Sequence, residues 1–217
     1  MEFEKLLPHV YRLRFKKGYD TAMHFIRYQE YYESLKYCGQ IFTLVDYMEW
    51  YASEYGNGIF TYPADWTGFN VPSRALIEVA ESNIPDVNKY DIQMRALINT
   101  VKKEEKGHPF YFIGTTEDEE DDGVLNHEIG HALYATNEEY HSVMENLLDE
   151  LPKETYTECW KILQQMHYHP SVCRDEIHAY ASTGVCEELE EVLPDELQKP
   201  FIKAYKAQRK KVEKGNG

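Results

Sequence analysis

The chain has 217 residues, 42% of them hydrophobic, and a formal net charge of −15. That length suits one sizeable domain or two small ones, with enough apolar residues for a real core. The acidic balance argues against nucleic acid as the main partner, because binding phosphate needs a basic surface.

The opening Met-Glu-Phe-Glu-Lys-Leu-Leu-Pro has no apolar run long enough for a signal peptide, and no later stretch approaches a membrane span. A soluble, cytoplasmic protein without a membrane partner is the expectation, with signal-less secretion left open. Residues 1 to about 115 look mixed. His24 to Tyr32 alternates loosely and is rich in aromatic residues, which suggests a strand. Thr43 to Tyr55 begins with a cap at Thr43 and Asp46 and carries Leu44, Tyr47, Met48 and Tyr51 at helical spacing; Gly56-Asn57-Gly58 ends it. Ile59 to Tyr62 reads as a short strand, and Pro63 to Pro72 as a loop holding Trp66 and Phe69. Pro72-Ser73 opens a helix to about Glu81, and Asp86 or Asn88 caps a longer one reaching Glu105. Pro109 to Thr115 is the strongest strand of the chain. The unbroken acids from Glu117 to Asp122 read as a solvated loop; their spacing lacks a calcium-loop pattern.

From about Gly123 to Tyr134 runs a helix containing His127-Glu128-Ile129-Gly130-His131. Histidines four apart share one helical face, so both imidazoles can reach a single metal ion, with the Glu beside them to hold and deprotonate a water on it. This is the working core of a zinc-dependent peptide hydrolase. Val124, Leu125, Ile129, Gly130, Ala132 and Leu133 are uncharged, so the helix is buried on most sides. A pair of core histidines beside a solvated Glu is the blander reading; buried charge rarely goes unpaired. The rest is helical. Thr136 with Glu139 resembles a capping box for a helix to about Leu151, and Pro152 starts another ending near His167. Ser171 caps a third that stops near Gly184, and Pro194 starts a terminal helix with a basic end. The organisation is an N-terminal α+β region, 1–108, packed on a metal-binding helical region, 109–217, in one compact unit. The four cysteines form no Cys-x-x-Cys pair and read as free thiols. The sequence is silent on oligomeric state.

A catalytic zinc ion takes three protein ligands plus water. The downstream candidates are His141, Glu138, Glu145, His167, His169, Glu176 and His178. Glu176 is the choice. Ala179 and Ala181 on its helix are small enough to let that helix press against Gly130, bringing a carboxylate oxygen to the metal. His178 is the main rival, since residues two apart on a helix diverge by about 200°, and His141 is the second.

With His127, Glu128 and His131 on one helix and a Glu on a later one, residues 109 to 184 resemble a gluzincin-type zinc metallopeptidase, including its bacterial toxin-like members, where a Glu is followed by Ala-Tyr. The pattern departs from thermolysin-like members at Tyr180, where they carry an Asp that buttresses the first His; Asp175 is the available substitute. The resemblance implies a zincin-like α+β fold: a small mixed sheet, an edge strand before the active-site helix that binds extended substrate, and a mostly helical C-terminal half. Phe110 to Thr115 is in the place for that strand. It further implies one catalytic Zn2+ on His127, His131 and Glu176, Glu128 as general base, and a peptide or protein substrate. Tyr180, Tyr168, His169 and His178 are the candidate oxyanion donors, with Tyr180 preferred because it lies one turn beyond Glu176. The competing functions are a non-catalytic zinc protein, a di-iron carboxylate protein built on Glu128-x-x-His131, and a degenerate zincin scaffold.

Overall fold

The computed structural model describes residues 1–117 and 122–215. The acidic run expected to form a loop lies largely outside the described residues. Two strands, β1 (Glu2–Leu7) and β2 (Val10–Phe15), form an antiparallel hairpin, followed by helices α1 (Gly18–Glu33), α2 (Leu44–Glu54) and the single turn α3 (Tyr62–Asp65). Strand β3 (Gly68–Pro72) leads into α4 (Ser73–Glu81) and α5 (Lys89–Glu105), then β4 (Tyr111–Thr116). The remainder is helical: α6 (Asp122–Thr136), α7 (Glu138–Glu150), α8 (Lys153–Gln165), α9 (Cys173–Thr183) and α10 (Asp195–Gly215). Among the described residues, no helix is long and apolar enough to cross a membrane.

The fold is mixed α+β around a four-stranded mixed sheet ordered β1-β2-β4-β3. β4 runs parallel to β2 and antiparallel to β3, so strands from both sides of residue 108 share one sheet. Side chains alternate across β4. Phe112 joins a core with Leu13, Phe25, Phe69 and the residues of α2, α4 and α5; Tyr111 and Ile113 join a second core with α6 to α10.

Several expectations are corrected. His24 to Tyr32 lies within α1 and is not a strand. Every residue from Thr21 to Glu30 is buried, so the aromatic richness reflects a helix covered on all sides rather than a pleated surface. Arg27 is held there by Asp86 at 2.7 Å. Ile59 to Tyr62 forms no strand, because Pro63 seeds the turn of α3. The expected loop from Pro63 to Pro72 contains β3, whose Phe69 and Val71 are buried. β4 is interior; the outer strand on the side of the metal-motif helix is β3. Asn137, not Thr136, caps α7, accepting a hydrogen bond from the Tyr140 amide at 2.9 Å. Ser171 caps nothing: α9 has no side-chain cap, and Ser171 bonds His169. Thr43 and Asn88 cap α2 and α5, the latter with its own backbone amide donating in return to the Asp91 carboxylate.

β4 meets α1 at Gly114. A Cβ added there would lie 2.5 Å from the ring of Phe25, which is fully buried and stacked on Phe69 at 5.6 Å between centroids. The ring has nowhere to move. Gly114→Ala is expected to lower the unfolding free energy by ~1–3 kcal/mol, read as an earlier urea midpoint at unchanged slope; an unaltered midpoint would show that the α1–sheet interface yields.

Candidate metal centre

α6 leaves the sheet directly after β4 and packs against α9. The two helices meet where Gly130 faces Ala179, with an added Cβ reaching the Ala179 Cα and Cβ at 3.9 Å and Thr183 Cγ2 at 3.5 Å. Of the two small residues expected at this contact, Ala179 provides it; Ala181 packs into the helical core instead. The close approach turns the start of α9 toward the two histidines.

Donor atoms of His127, His131 and Glu176 lie within 4.8 Å of one another. His127 Nε2 and His131 Nε2 are 3.1 Å apart, and Glu176 places Oε2 at 3.6 Å from the first and Oε1 at 3.5 Å from the second. Tetrahedral ligands on zinc at about 2.0–2.1 Å stand about 3.3 Å from each other. The spacing therefore fits a single divalent cation. The burial fits as well. Glu176 is 3% exposed, and neither its Oε2 nor Glu128 Oε2 has a hydrogen-bond partner among the described residues. A buried carboxylate left so costs several kcal/mol unless a cation meets it.

Both imidazoles are turned by their outer nitrogens. Asp175 Oδ1 sits 2.9 Å from His131 Nδ1. Thr183 Oγ1 lies 3.3 Å from His127 Nδ1, and its own proton goes to the Ala179 carbonyl at 2.7 Å. The Thr183 geometry puts the hydrogen on His127 Nδ1 and leaves its Nε2 lone pair toward the cluster; at His131 the Asp175 carboxylate stands at ion-pair distance from Nδ1. Asp175 buttresses the second histidine of the motif rather than the first. Asp175 and Glu176 both occupy the first turn of α9, whose positive end favours them. Burial penalises every charge here, but the surrounding charges prevail: the imidazoles hold Glu176 and Asp175 below the usual carboxylate range, and the two carboxylates lift His131 well above a free imidazole. Burial raises the pKa of Glu128, partly against the pull of the two histidines.

The other candidate ligands point away. His178 is fully buried, accepting from Tyr140 OH at 3.0 Å and donating to Asp175. His141 bonds the Tyr134 carbonyl at 3.1 Å, His169 bonds Ser171, and Glu145 is paired with Arg174 at 2.9 Å. Tyr180 and Tyr168 line a cleft of about 590 Å³ beside the cluster, their hydroxyls 3.3 Å apart. His169 and His178 do not line it.

Three contributors went unread in the sequence. Gly68, at the start of β3, faces Glu128: an added Cβ would stand 2.7 Å from Oε1. Asn70 of the same strand lines the cleft beside Glu128, oriented by Tyr111 OH donating to its Oδ1 at 2.5 Å. Gln29 of α1 accepts from the Asn70 amide at 3.0 Å and donates to Glu33 at 2.7 Å. A glycine and an asparagine in one short aromatic stretch carry no local signal for this role.

No family model, curated protein or solved structure matches this chain.

Equilibrium dialysis with metal analysis tests the site. Glu176→Ala and His131→Ala should each lose bound zinc, and Asp175→Asn should weaken binding by about 10–100-fold. His141→Ala should keep one ion per chain. Full zinc occupancy in Glu176→Ala would remove that carboxylate from the ligand set.

Proposed function

We propose that the chain is a zinc-dependent peptide hydrolase of the gluzincin type, with His127, His131 and Glu176 holding the metal and Glu128 acting as the general base. The observation that carries this reading is the division of labour on α6. Two imidazoles and one carboxylate converge from α6 and α9, while the Glu128 carboxylate stands outside that trio and lines the open cleft with His127 and Glu176, His131 lying buried behind them. Three donors beside a solvent-accessible cleft is the arrangement of a catalytic rather than a closed structural zinc site.

When bound, the zinc would polarise a scissile carbonyl and lower the pKa of a water toward about 7. The residues of the chain do the rest. Glu128 takes a proton at its unpartnered Oε2 and passes it to the leaving amine. Asn70, itself positioned by Tyr111 OH, supplies a polar group beside that carboxylate. Tyr180 and Tyr168 present hydroxyls that donate to the oxyanion of the tetrahedral intermediate. β3 is the outer strand of the sheet on the α6 side, and an extended peptide adds to such an edge through its backbone. Gly68 keeps the strand close enough for that backbone to pass over Glu128. Four cysteines without a disulfide are in keeping with a reducing, cytoplasmic setting.

Glu128→Gln should lower turnover of quenched-fluorescent peptide mixtures by about 10²–10⁴-fold while still binding one zinc; undiminished hydrolysis in a clean preparation overturns the assignment. Gly68→Ala pushes a methyl against Glu128 and should cost up to about 10²-fold in kcat with zinc retained. Unchanged kcat would separate β3 from the chemistry.

A further inference from the structure

Beside the metal cleft lies a second cavity, of about 180 Å³, that shares Glu33, Trp66 and Tyr168 with it. Its far wall is aromatic. Tyr47, Trp50 and Tyr51 of α2 and Tyr55 at its C-terminal cap line it, with Tyr55 38% exposed at the mouth. Glu30 and Glu33, one turn apart on α1, also line it. They are 7% and 8% exposed. Among the described residues, no Lys, Arg or His reaches either carboxylate within ion-pair distance. Glu30 accepts from Tyr62 OH at 2.8 Å, and Glu33 accepts from Gln29, its hydrogen-bond donor among the described side chains.

Two buried acids without a counter-cation, on the wall of an open aromatic cavity, make a chemically specific site. Burial disfavours the ionised form of each carboxyl until a cation stands beside it, so the pair is poised to gain from one. Aromatic rings attract a cation through their faces, and a carboxylate behind them receives its donors. Trp50 already shows the first property: Lys36 Nζ lies 5.0 Å from its ring centre. A long apolar stem tipped by a positive charge matches walls and floor together. The chain's net charge of −15 draws the same class of molecule at long range.

We propose that this cavity is a specificity subsite taking an arginine or lysine side chain of the peptide that lies in the metal cleft, an inference that rests on the peptide-hydrolase reading. Trp66 and Tyr168 form the shared wall, so the side chain enters one cavity while its backbone stays in the other. Trp66 also stands just before β3, where an extended substrate strand would run. Burial lifts Glu30 to a pKa of about 7 and Glu33 well above the usual range; a guanidinium or ammonium between them would favour their ionised forms.

The experiment uses zinc-loaded Glu128→Gln protein, so that binding is read without turnover. Blocked pentapeptides of alanine with a central arginine, lysine, citrulline or norleucine are titrated by calorimetry. Arginine should bind at least tenfold more tightly than citrulline, its neutral isostere, and lysine more tightly than norleucine. Adding Glu33→Gln or Glu30→Gln should reduce that ratio below threefold, and Trp50→Leu should weaken the arginine peptide with little change for citrulline. Thermal melts confirm that each variant folds; where one does not, the remaining two decide. Equal binding of arginine and citrulline by the parent protein overturns the subsite, as does a ratio that survives loss of both carboxylates. Should the charge preference hold while the protein with Glu128 intact cleaves none of the peptides, the subsite stands and the hydrolase reading fails.

Discussion

His131 has a carboxylate at ion-pair distance from each ring nitrogen, supplied by consecutive residues of one helix, and the arrangement of the site follows from that pairing. Asp175 takes the Nδ1 side and Glu176 faces the Nε2 side. Neighbouring residues on a helix diverge by about 100°, so two adjacent acids can embrace a ring that neither could hold alone. The embrace demands that α6 and α9 lie close. Gly130 and Ala179 meet that demand, and the helix end at α9 makes the two buried carboxylates tolerable. His127 needs less, since the Thr183 hydroxyl orients it from the last turn of the same helix.

The N-terminal half completes the site from the opposite side. β3 contributes a glycine that makes room for Glu128 and an asparagine beside it in the cleft, while α1 supplies Gln29 and Glu33 just behind. The cleft thus lies between two helical layers joined by the sheet. Acidic groups crowd it from both sides, and each raises the cost of the others: Glu33 feels Glu176 and Glu128 as well as its own burial. So many carboxylates held against that repulsion are the physical ground for the proposed cation chemistry.

What could be read from the residues alone was local. The i,i+4 histidines announce a shared face wherever the helix goes, and an acid near small residues on a later helix marks Glu176. Helix starts at Thr43, Asn88 and Pro152 also carry their signal in a few residues. The misreadings were tertiary in origin. α1 is aromatic because it is buried on every side, which imitates a strand composition. β3 hides between Pro63 and Pro72 and is a strand only because β4 lies alongside. Nor can a strand's own residues say whether it sits at an edge: β4 is central because a hairpin a hundred residues earlier pairs with it. The Thr136 and Asn137 caps differ by one position, and the side chain that reaches the Tyr140 amide wins.

The parallel union of β2 with β4 bears on how the molecule is made. Val10 pairs with Tyr111 and Phe15 with Thr116, so five helices and a strand must emerge before the sheet can close. Contacts this distant in sequence make folding slow, because chain closure precedes any reward. α6 follows the closing strand directly and α9 comes later still. During synthesis the paired imidazoles therefore leave the ribosome well before the acids that will face them, and the cluster is among the last parts of the architecture to become whole.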